Sequence, residues 1–123
     1  MLFLILLILS LIHGNVTSVS DGDTVQINHN QTIRLALVDT PELFHYGWYD
    51  AKKYTIDHCL NKDAKINIDD KEPVDIHGRT VAMVKCGKDR STMNQLLLKN
   101  DYATLLRSFC DKSEFSNKSW VKC

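Results

Sequence analysis

Short stretches in which apolar and polar residues alternate recur along the chain and predict β-strands, because successive side chains of a strand point to opposite faces. In residues 23–27, for example, Val25 and Ile27 share a face. The predicted strands span residues 16–19, 23–27, 32–38, 65–69 and 80–86. Short polar turns separate the first three strands, so we expect them to form an antiparallel meander.

Two further segments predict helices. Residues 50–60 are moderately amphipathic, and Thr92 with Gln95 has the form of a capping box at the start of a second helix. That helix is expected to end near Asn100, which can take the left-handed conformation that usually requires glycine. The order βββ-α-ββ-α belongs to the α+β class and predicts a five-stranded OB-fold β-barrel with helices packed against it.

The first 20 residues contain no charged side chain, and residues 2–12 are almost wholly apolar. Eleven residues are too few to cross a bilayer core, which needs roughly 20. We therefore predict that residues 1–14 are a signal peptide, with Gly14 as a possible cleavage point, or an uncleaved membrane anchor. Residues 15–123 then form one exported domain, which is secreted or tethered to the outer face of the membrane. Three Asn-x-Ser/Thr sequons agree with export, at Asn15, Asn30 and Asn117.

The chain has four cysteines, all beyond the predicted leader. An even number in a small exported domain predicts two disulfides, and four cysteines allow three pairings. We favour Cys110–Cys123, which would fix the C-terminal tail, and this leaves Cys59–Cys86. No C-x-x-C motif is present, so a zinc site is disfavoured.

The charges balance: 15 lysines and arginines face 15 aspartates and glutamates. A neutral domain has no broad electrostatic attraction for a polyanion, which argues against a sequence-reading DNA-binding protein. Any phosphate binding must come from a few well-placed cations or from a metal ion. An enzyme that binds phosphate through a few cations or a metal ion is compatible with a neutral net charge.

The stretch 33–42 (IRLALVDTPE) concentrates the candidate chemistry at the end of a predicted strand. Asp39, Glu42 and the earlier Asp23 are hard oxygen ligands suited to Ca²⁺ or Mg²⁺, although each acid alone could simply cap a turn. Arg34 could be a solvent-facing edge residue or the partner of an acid. Simple alternation places Arg34 and Asp39 on opposite faces, so a bend between them is required if they are to meet.

Five motifs, in this order, resemble the staphylococcal-nuclease (thermonuclease) family over nearly all of residues 16–106. They are DGDTVQI at 21–27, IRLALVDTPE at 33–42, Tyr46-Gly47 with Ala51, DIHGRTVA at 75–82 and MNQLLL at 93–98. The resemblance implies an OB-fold barrel and a Ca²⁺-dependent phosphodiesterase, and we expect the protein to be a monomer. Its substrates would be DNA and RNA, cleaved with low sequence specificity to leave 3′-phosphate ends.

The same resemblance implies a role for each matching residue. Asp23 and Asp39 would bind Ca²⁺ through their carboxylates, and Thr40 through its carbonyl. Glu42 would orient and deprotonate the attacking water. Two arginines, Arg34 and Arg79, would hold the phosphate. Beyond these matching residues, we expect Asp75 and His77, in the loop before the fifth strand, to contact substrate.

Some positions depart from the family pattern. Ile76-His77 stands where the family commonly has Lys-Tyr, Asp101 replaces a usual glycine, and Arg107 and Phe109 replace tyrosines of the base site. Base preference therefore does not carry over. Residues 43–49 (LFHYGWY), which we call the aromatic loop, could stack on bases or simply pack within the loop.

Two rival functions remain, namely a non-catalytic OB-fold module that binds nucleic acid and an exported Ca²⁺-binding structural domain. A degenerate module would be free to lose Glu42, Arg34 or Arg79, and this chain retains all three. A structural domain would not need two arginines at phosphate-binding positions. The sequence therefore favours the nuclease.

Overall fold

A closed five-stranded barrel forms the centre of the protein, as the computed structural model shows for residues 11–123. The barrel strands are β1 (Leu11–Asp21), β2 (Thr24–Ile27), β3 (Gln31–Leu35), β5 (Asp63–Ile68) and β6 (Thr80–Cys86). Two short strands, β4 (Val38–Asp39) and β7 (Thr104–Leu105), pair outside it. The helices are α1 (Trp48–Cys59) and α2 (Met93–Lys99), followed by 3₁₀ helices at Arg107–Phe109 and Glu114–Asn117. The predicted α+β class and OB-fold barrel are confirmed.

The barrel has the order β1-β2-β3-β6-β5. Strands β1, β2 and β3 form the predicted antiparallel meander, β3 pairs with β6 in parallel, and β5 pairs antiparallel with both β6 and β1. The apolar face of each strand fills the interior. Fully buried side chains there include Val16, Val25, Ile27, Ile33, Leu35, Ile66 and Val84.

Strand β1 begins at Leu11, five residues before the predicted start, and residues 1–10 of the predicted leader lie outside the described residues. The ladder that closes the barrel pairs residues 11–15 of β1 with residues 63–67 of β5. Gly14 is buried in this ladder, and a side chain there would collide with Ile27. Cleavage after Gly14 would remove four of the five β1 residues in the β1–β5 ladder.

The predicted strand 32–38 is divided in two, because the backbone turns at Ala36 and Leu37. Leu37 has φ 67°, a conformation that non-glycine residues rarely adopt. Both residues are buried, so packing holds this conformation. The turn at Ala36 and Leu37 is the bend that Arg34 and Asp39 need in order to lie on the same side of the sheet.

Both helices begin and end close to their predicted positions. Helix α1 follows Gly47, which has φ 86°, and the Thr92 hydroxyl accepts a hydrogen bond from the Gln95 amide at the start of α2. After α2 the left-handed residue is Asp101 (φ 64°), so the prediction that Asn100 takes this conformation is wrong. Within residues 11–123, no helix is long and apolar enough to cross a membrane.

The C-terminal tail, residues 102–123, covers the bend at Ala36 and Leu37 from outside the barrel. Its Phe115 and Val121 form a second buried cluster with Ala36, Leu37 and Met83. The tail is also fastened by the buried Asp69, whose carboxylate accepts hydrogen bonds from the Ser113 hydroxyl (2.6 Å) and the Glu114 amide (3.1 Å). The two disulfides are Cys59–Cys86 and Cys110–Cys123, which confirms the predicted pairing.

Candidate active site

Arg34 stands at the centre of the site and is held by four acceptors. Its Nη2 lies 3.3 Å from a carboxylate oxygen of both Asp23 and Asp39. Its Nη1 donates to the carbonyls of Leu35 (2.8 Å) and Val38 (2.7 Å). Since β3 pairs with neighbours on both sides and the side chain is largely buried, Arg34 is not a solvent-facing edge residue. Its guanidinium is fixed before any ligand binds.

Asp23 is the buried acid of the site. One carboxylate oxygen accepts the backbone N–H of Thr40 (2.9 Å) in addition to facing Arg34, and the other accepts the hydroxyl of Thr24 (2.9 Å). These donors offset the cost of burying a charge. They also join the end of β4 to the start of β2, so Asp23 and Thr40 have fixed relative positions. The role of Thr24 was not predicted from the sequence.

Asp39 is the accessible acid, with about half of its side chain (49%) exposed. Its pKa lies above the usual value because of burial first, and the negative charges of Asp23 and Glu42 raise it further, while the Arg34 guanidinium lowers it. Two carboxylates, those of Asp23 and Asp39, face the single guanidinium of Arg34, so the count of formal charges at this place is negative. A bound cation would relieve this repulsion.

The donors present fit a hard divalent cation. Asp23 and Asp39 contact the same guanidinium nitrogen, and Thr40 lies one residue after Asp39 and is bonded to Asp23. The buried Thr40 hydroxyl also has no hydrogen-bond partner within residues 11–123. In the same part of the chain, no three side chains of His, Cys, Asp or Glu gather into a metal cage. Two carboxylates and a carbonyl leave coordination positions for water or phosphate oxygens, as Ca²⁺ and Mg²⁺ sites allow.

Arg79 is oriented by Asp75, four residues earlier. The Arg79 Nε donates to one Asp75 carboxylate oxygen at 2.7 Å, and the amides of His77 and Arg79 donate to the other at 2.9 Å. Burial raises the pKa of Asp75, but these hydrogen bonds and the Arg79 charge outweigh it, so the pKa lies below its usual value. Gly78, with φ 79°, allows the tight turn between His77 and Arg79. Asp75 is thus engaged by Arg79 itself, whereas His77 is exposed.

A cavity of about 470 Å³ brings the two arginines together. Arg34 and Arg79 both line it, with Asp75 and His77 at the loop 70–78. The apolar part of the wall comes mainly from Leu35, Leu37, Val74, Ile76, Val81, Leu106 and Phe109. Two guanidiniums beside an apolar wall suit a ligand with a phosphate and a flat base.

Glu42 is exposed and does not line this cavity, and neither do Asp23, Asp39 and Thr40. Glu42 is close enough to Asp39 to raise the pKa of that carboxyl. The structure therefore gathers Asp23, Arg34, Asp39 and Thr40 into one cluster, adds Arg79 across the cavity, and leaves Glu42 open to water.

Asn94 supports the bend and was missed in the sequence. It is fully buried, and its side-chain amide donates to the carbonyls of Ala36 (2.9 Å) and Ala82 (3.1 Å) while accepting the Val84 amide (3.1 Å). These bonds tie β3 to β6 at the point where β3 ends. The sequence did contain an indication of this role, because Asn94 is a polar residue three positions before Leu97 and therefore on the apolar face of the predicted helix.

Comparison with known proteins identifies a family for most of the chain. Residues 32–120 match the family model described as "Staphylococcal nuclease homologue". The matched part contains Arg34, Asp39, Thr40, Glu42 and Arg79 and begins after Asp23. No curated protein matches the chain.

Proposed function

We propose, from the premise that the chain belongs to the staphylococcal nuclease homologue family, that it is an exported, Ca²⁺-dependent nuclease. Its substrates are DNA and RNA, which it cleaves with low sequence specificity to leave 3′-phosphate ends. The observation that carries the proposal is the position of Arg34, 3.3 Å from both Asp23 and Asp39 and on the wall of the cavity that Arg79 also lines. A binding module would not need this balance of acids and arginines.

The chain's own residues divide the work of phosphodiester hydrolysis. Arg34 and Arg79 donate hydrogen bonds to the phosphate and stabilise the charge that gathers on its non-bridging oxygens. Glu42 orients the attacking water and accepts its proton, which its exposed carboxylate can do without a relay. The water oxygen bonds to phosphorus as the P–O5′ bond breaks. The departing O5′ takes a proton from solvent water, and Glu42 releases the proton that it accepted to solvent.

Asp23 and Asp39, with the Thr40 carbonyl, would hold Ca²⁺ beside Arg34. When bound, the ion supplies positive charge that neutralises the phosphate and polarises it for attack. The negative charge that Arg34 leaves uncompensated at this place supports a divalent ion. The donors alone also suit Mg²⁺, so the choice of Ca²⁺ rests on the family.

Export is supported by the two disulfides, because such bonds persist in oxidising compartments. Cys59–Cys86 joins the end of α1 to the end of β6, and Cys110–Cys123 closes the tail that covers the bend. The first bond therefore ties α1 to the barrel, and the second stabilises the tail that packs on the bend.

The test is cleavage of 5′-labelled single-stranded DNA and RNA by the full chain, with Ca²⁺, with Mg²⁺ and with chelator. We expect cleavage in Ca²⁺, none in chelator, and product ends that shift in mobility when a phosphatase removes a 3′-phosphate. Arg79→Ala should lower the rate about 10²-fold or more, as loss of one transition-state donor does. The matched control is Arg90→Ala, because Arg90 is exposed and outside the cavity lining. Tight binding of the oligonucleotides without any cleavage would instead identify a non-catalytic module.

A further inference from the structure

The aromatic loop carries two rings that contribute nothing to packing. Phe44 is 92% exposed, Tyr46 is fully exposed, and both lie within four residues of Glu42. A shallow depression of about 370 Å³ lies among residues 43–50. The loop-packing explanation therefore fails for Phe44 and Tyr46.

The loop nevertheless has a defined shape. The His45 amide donates to the Glu42 carbonyl (2.9 Å), and the Trp48 amide donates to the His45 carbonyl (3.1 Å). Trp48 fixes the far end, since its indole N–H donates to the Asp21 carboxylate at 2.6 Å and the Lys52 ammonium lies 5.0 Å from its ring. These bonds hold the backbone of the loop in one conformation, from which the rings of Phe44 and Tyr46, two residues apart, project into solvent.

The backbone of Phe44 is held in an unusual conformation, with φ 73°. Aromatic residues rarely adopt positive φ, and burial of the side chain commonly offsets such strain. Here the ring is exposed and offers no such compensation. A ligand that covers the ring would supply it.

The position and charge of the loop select among possible ligands. Phe44 follows Glu42 by two residues, so their Cα atoms are at most roughly 7 Å apart and the aromatic loop starts next to the proposed catalytic base. Residues 42–50 contain two acids, Glu42 and Asp50, and no Lys or Arg. Lys52, which lies against the Trp48 ring, is the nearest cation in sequence, so the loop has no excess of positive charge to attract an anionic bilayer. Pairing of two copies would bring the like acids together. Uncharged flat bases fit the loop, provided that their phosphates bind elsewhere.

We propose that Phe44 and Tyr46 form a base-stacking subsite for single-stranded nucleic acid. The inference rests on the proposed function, in which Arg34 and Arg79 bind the phosphate while bases next to the cleaved bond stack on the two rings. Stacking accepts every base, so the subsite adds affinity without sequence preference. A duplex hides its base faces, so the subsite acts on single strands only.

The test measures binding by fluorescence anisotropy in the presence of Ca²⁺. The parent protein is the full chain with Glu42→Gln, a substitution that prevents cleavage of the nucleic-acid ligands during the measurement. The ligands are an oligothymidylate, an abasic deoxyribose-phosphate strand of the same length and charge, and a duplex. The variant is Phe44→Leu with Tyr46→Leu, which keeps apolar bulk and removes the rings. The matched control is Phe44→Tyr with Tyr46→Phe, which keeps both rings.

We expect the leucine pair to weaken oligothymidylate binding about 10-fold or more, in line with the loss of one or two stacked bases. Binding of the abasic strand and of the duplex should change less than about twofold, and the ring-keeping control should match the parent. Equal losses on the abasic strand, or no loss on oligothymidylate, would overturn the subsite. Ring-dependent flotation with lipid vesicles, or ring-dependent dimerisation in sedimentation, would also overturn it.

The cleavage activity of the wild-type chain is measured separately, so the two proposals fail independently. If the wild-type chain cleaves and the variant with Phe44→Leu and Tyr46→Leu binds oligothymidylate as tightly as its parent, the subsite is disproved and the nuclease proposal stands. If the wild-type chain never cleaves but binding of oligothymidylate depends on the two rings, the nuclease proposal is disproved and the subsite stands. Equal unfolding midpoints of all variants, expected for exposed side chains, exclude a folding effect.

Discussion

Arg34 is already bonded to two carbonyls and two carboxylates before a substrate binds. A transition state gains most from charges that do not have to move, because reorganisation costs free energy at the moment of reaction. Asp23 is fixed in the same way by Thr24 and Thr40. Asp39 and Glu42 differ, since both are exposed and can meet water and substrate. The site thus combines a rigid interior with an open outer edge.

Asp75 offers a test of this preorganisation on the other side of the cavity. Asp75→Asn keeps one oxygen for the amides of His77 and Arg79 but can replace the acceptor of Arg79 Nε by a second donor. We expect kcat to fall about 10-fold or more as Arg79 loses its orientation. Steady-state cleavage of single-stranded DNA measures the effect, with Asp70→Asn, an exposed acid of the same loop, as the control. Equal rates for the two variants would show that Asp75 does not position Arg79.

The lowered pKa of Asp75 also predicts a pH dependence. A carboxyl whose pKa is lower in the folded state stabilises the protein fully above its unfolded-state value of about 3.8. This stabilisation disappears as the pH falls through the lower folded-state pKa. The unfolding midpoint of the wild type should therefore exceed that of Asp75→Asn at neutral pH, and the gap should close below about pH 3.8. A gap that widens as the pH falls would contradict the assignment.

At the scale of elements, the bend between β3 and β4 creates the site. The alternation in 32–38 indicated that a bend was needed but not where it lies, because nothing local distinguishes Leu37 from its neighbours. Its positive φ depends on contacts distant in sequence, namely the tail residues Phe115 and Val121 and the bond from Asn94 to Ala36. The capping box at Thr92 was predictable because its pattern is local.

Asn94 gives the test at this scale. Asn94→Leu removes the side-chain partner of the Ala36 carbonyl and of the Val84 amide, whereas the Ala82 carbonyl keeps the Ala36 amide at 2.8 Å. Each buried polar group left unpaired costs about 1–3 kcal/mol. We expect the free energy of unfolding to fall by about 3 kcal/mol and cleavage to weaken as the bend loosens. Denaturant unfolding measures the first effect, and Gln95→Ala is the control on the same helix. A loss of stability no larger than in the control would show that the bend holds without Asn94.

At the scale of the whole molecule, closure of the barrel depends on the first described residues. The sequence predicted a leader through residue 14 because residues 2–12 are apolar, yet the structure pairs residues 11–15 with β5. An apolar run cannot reveal whether its last residues face lipid or a barrel, because both environments select the same side chains. The four cysteines were more informative, since few pairings were possible.

A comparison of chains that start at Leu11 and at Asn15 tests this closure. The shorter chain loses four of five paired residues of the β1–β5 ladder and the packing of Ile12, so we expect its unfolding midpoint to fall by at least about 10 °C. N-terminal sequencing of the protein isolated from cells that express the full sequence is a second measurement, and we expect Leu11 to be retained. Equal midpoints, or a mature N-terminus at Asn15 in a fully active protein, would contradict the requirement for closure.

The balanced charge of the molecule requires that affinity for nucleic acid come from the site itself. In the proposed function, this site is the catalytic centre of a Ca²⁺-dependent nuclease with Glu42 as its base. The most direct measurement compares kcat of the wild type and of Glu42→Gln on single-stranded DNA, with Ca²⁺ affinity measured by calorimetry. We predict that kcat falls about 10²-fold or more while Ca²⁺ affinity changes only a few-fold. Cleavage by Glu42→Gln at the wild-type rate, or no Ca²⁺-dependent cleavage by the wild type, would contradict the claim.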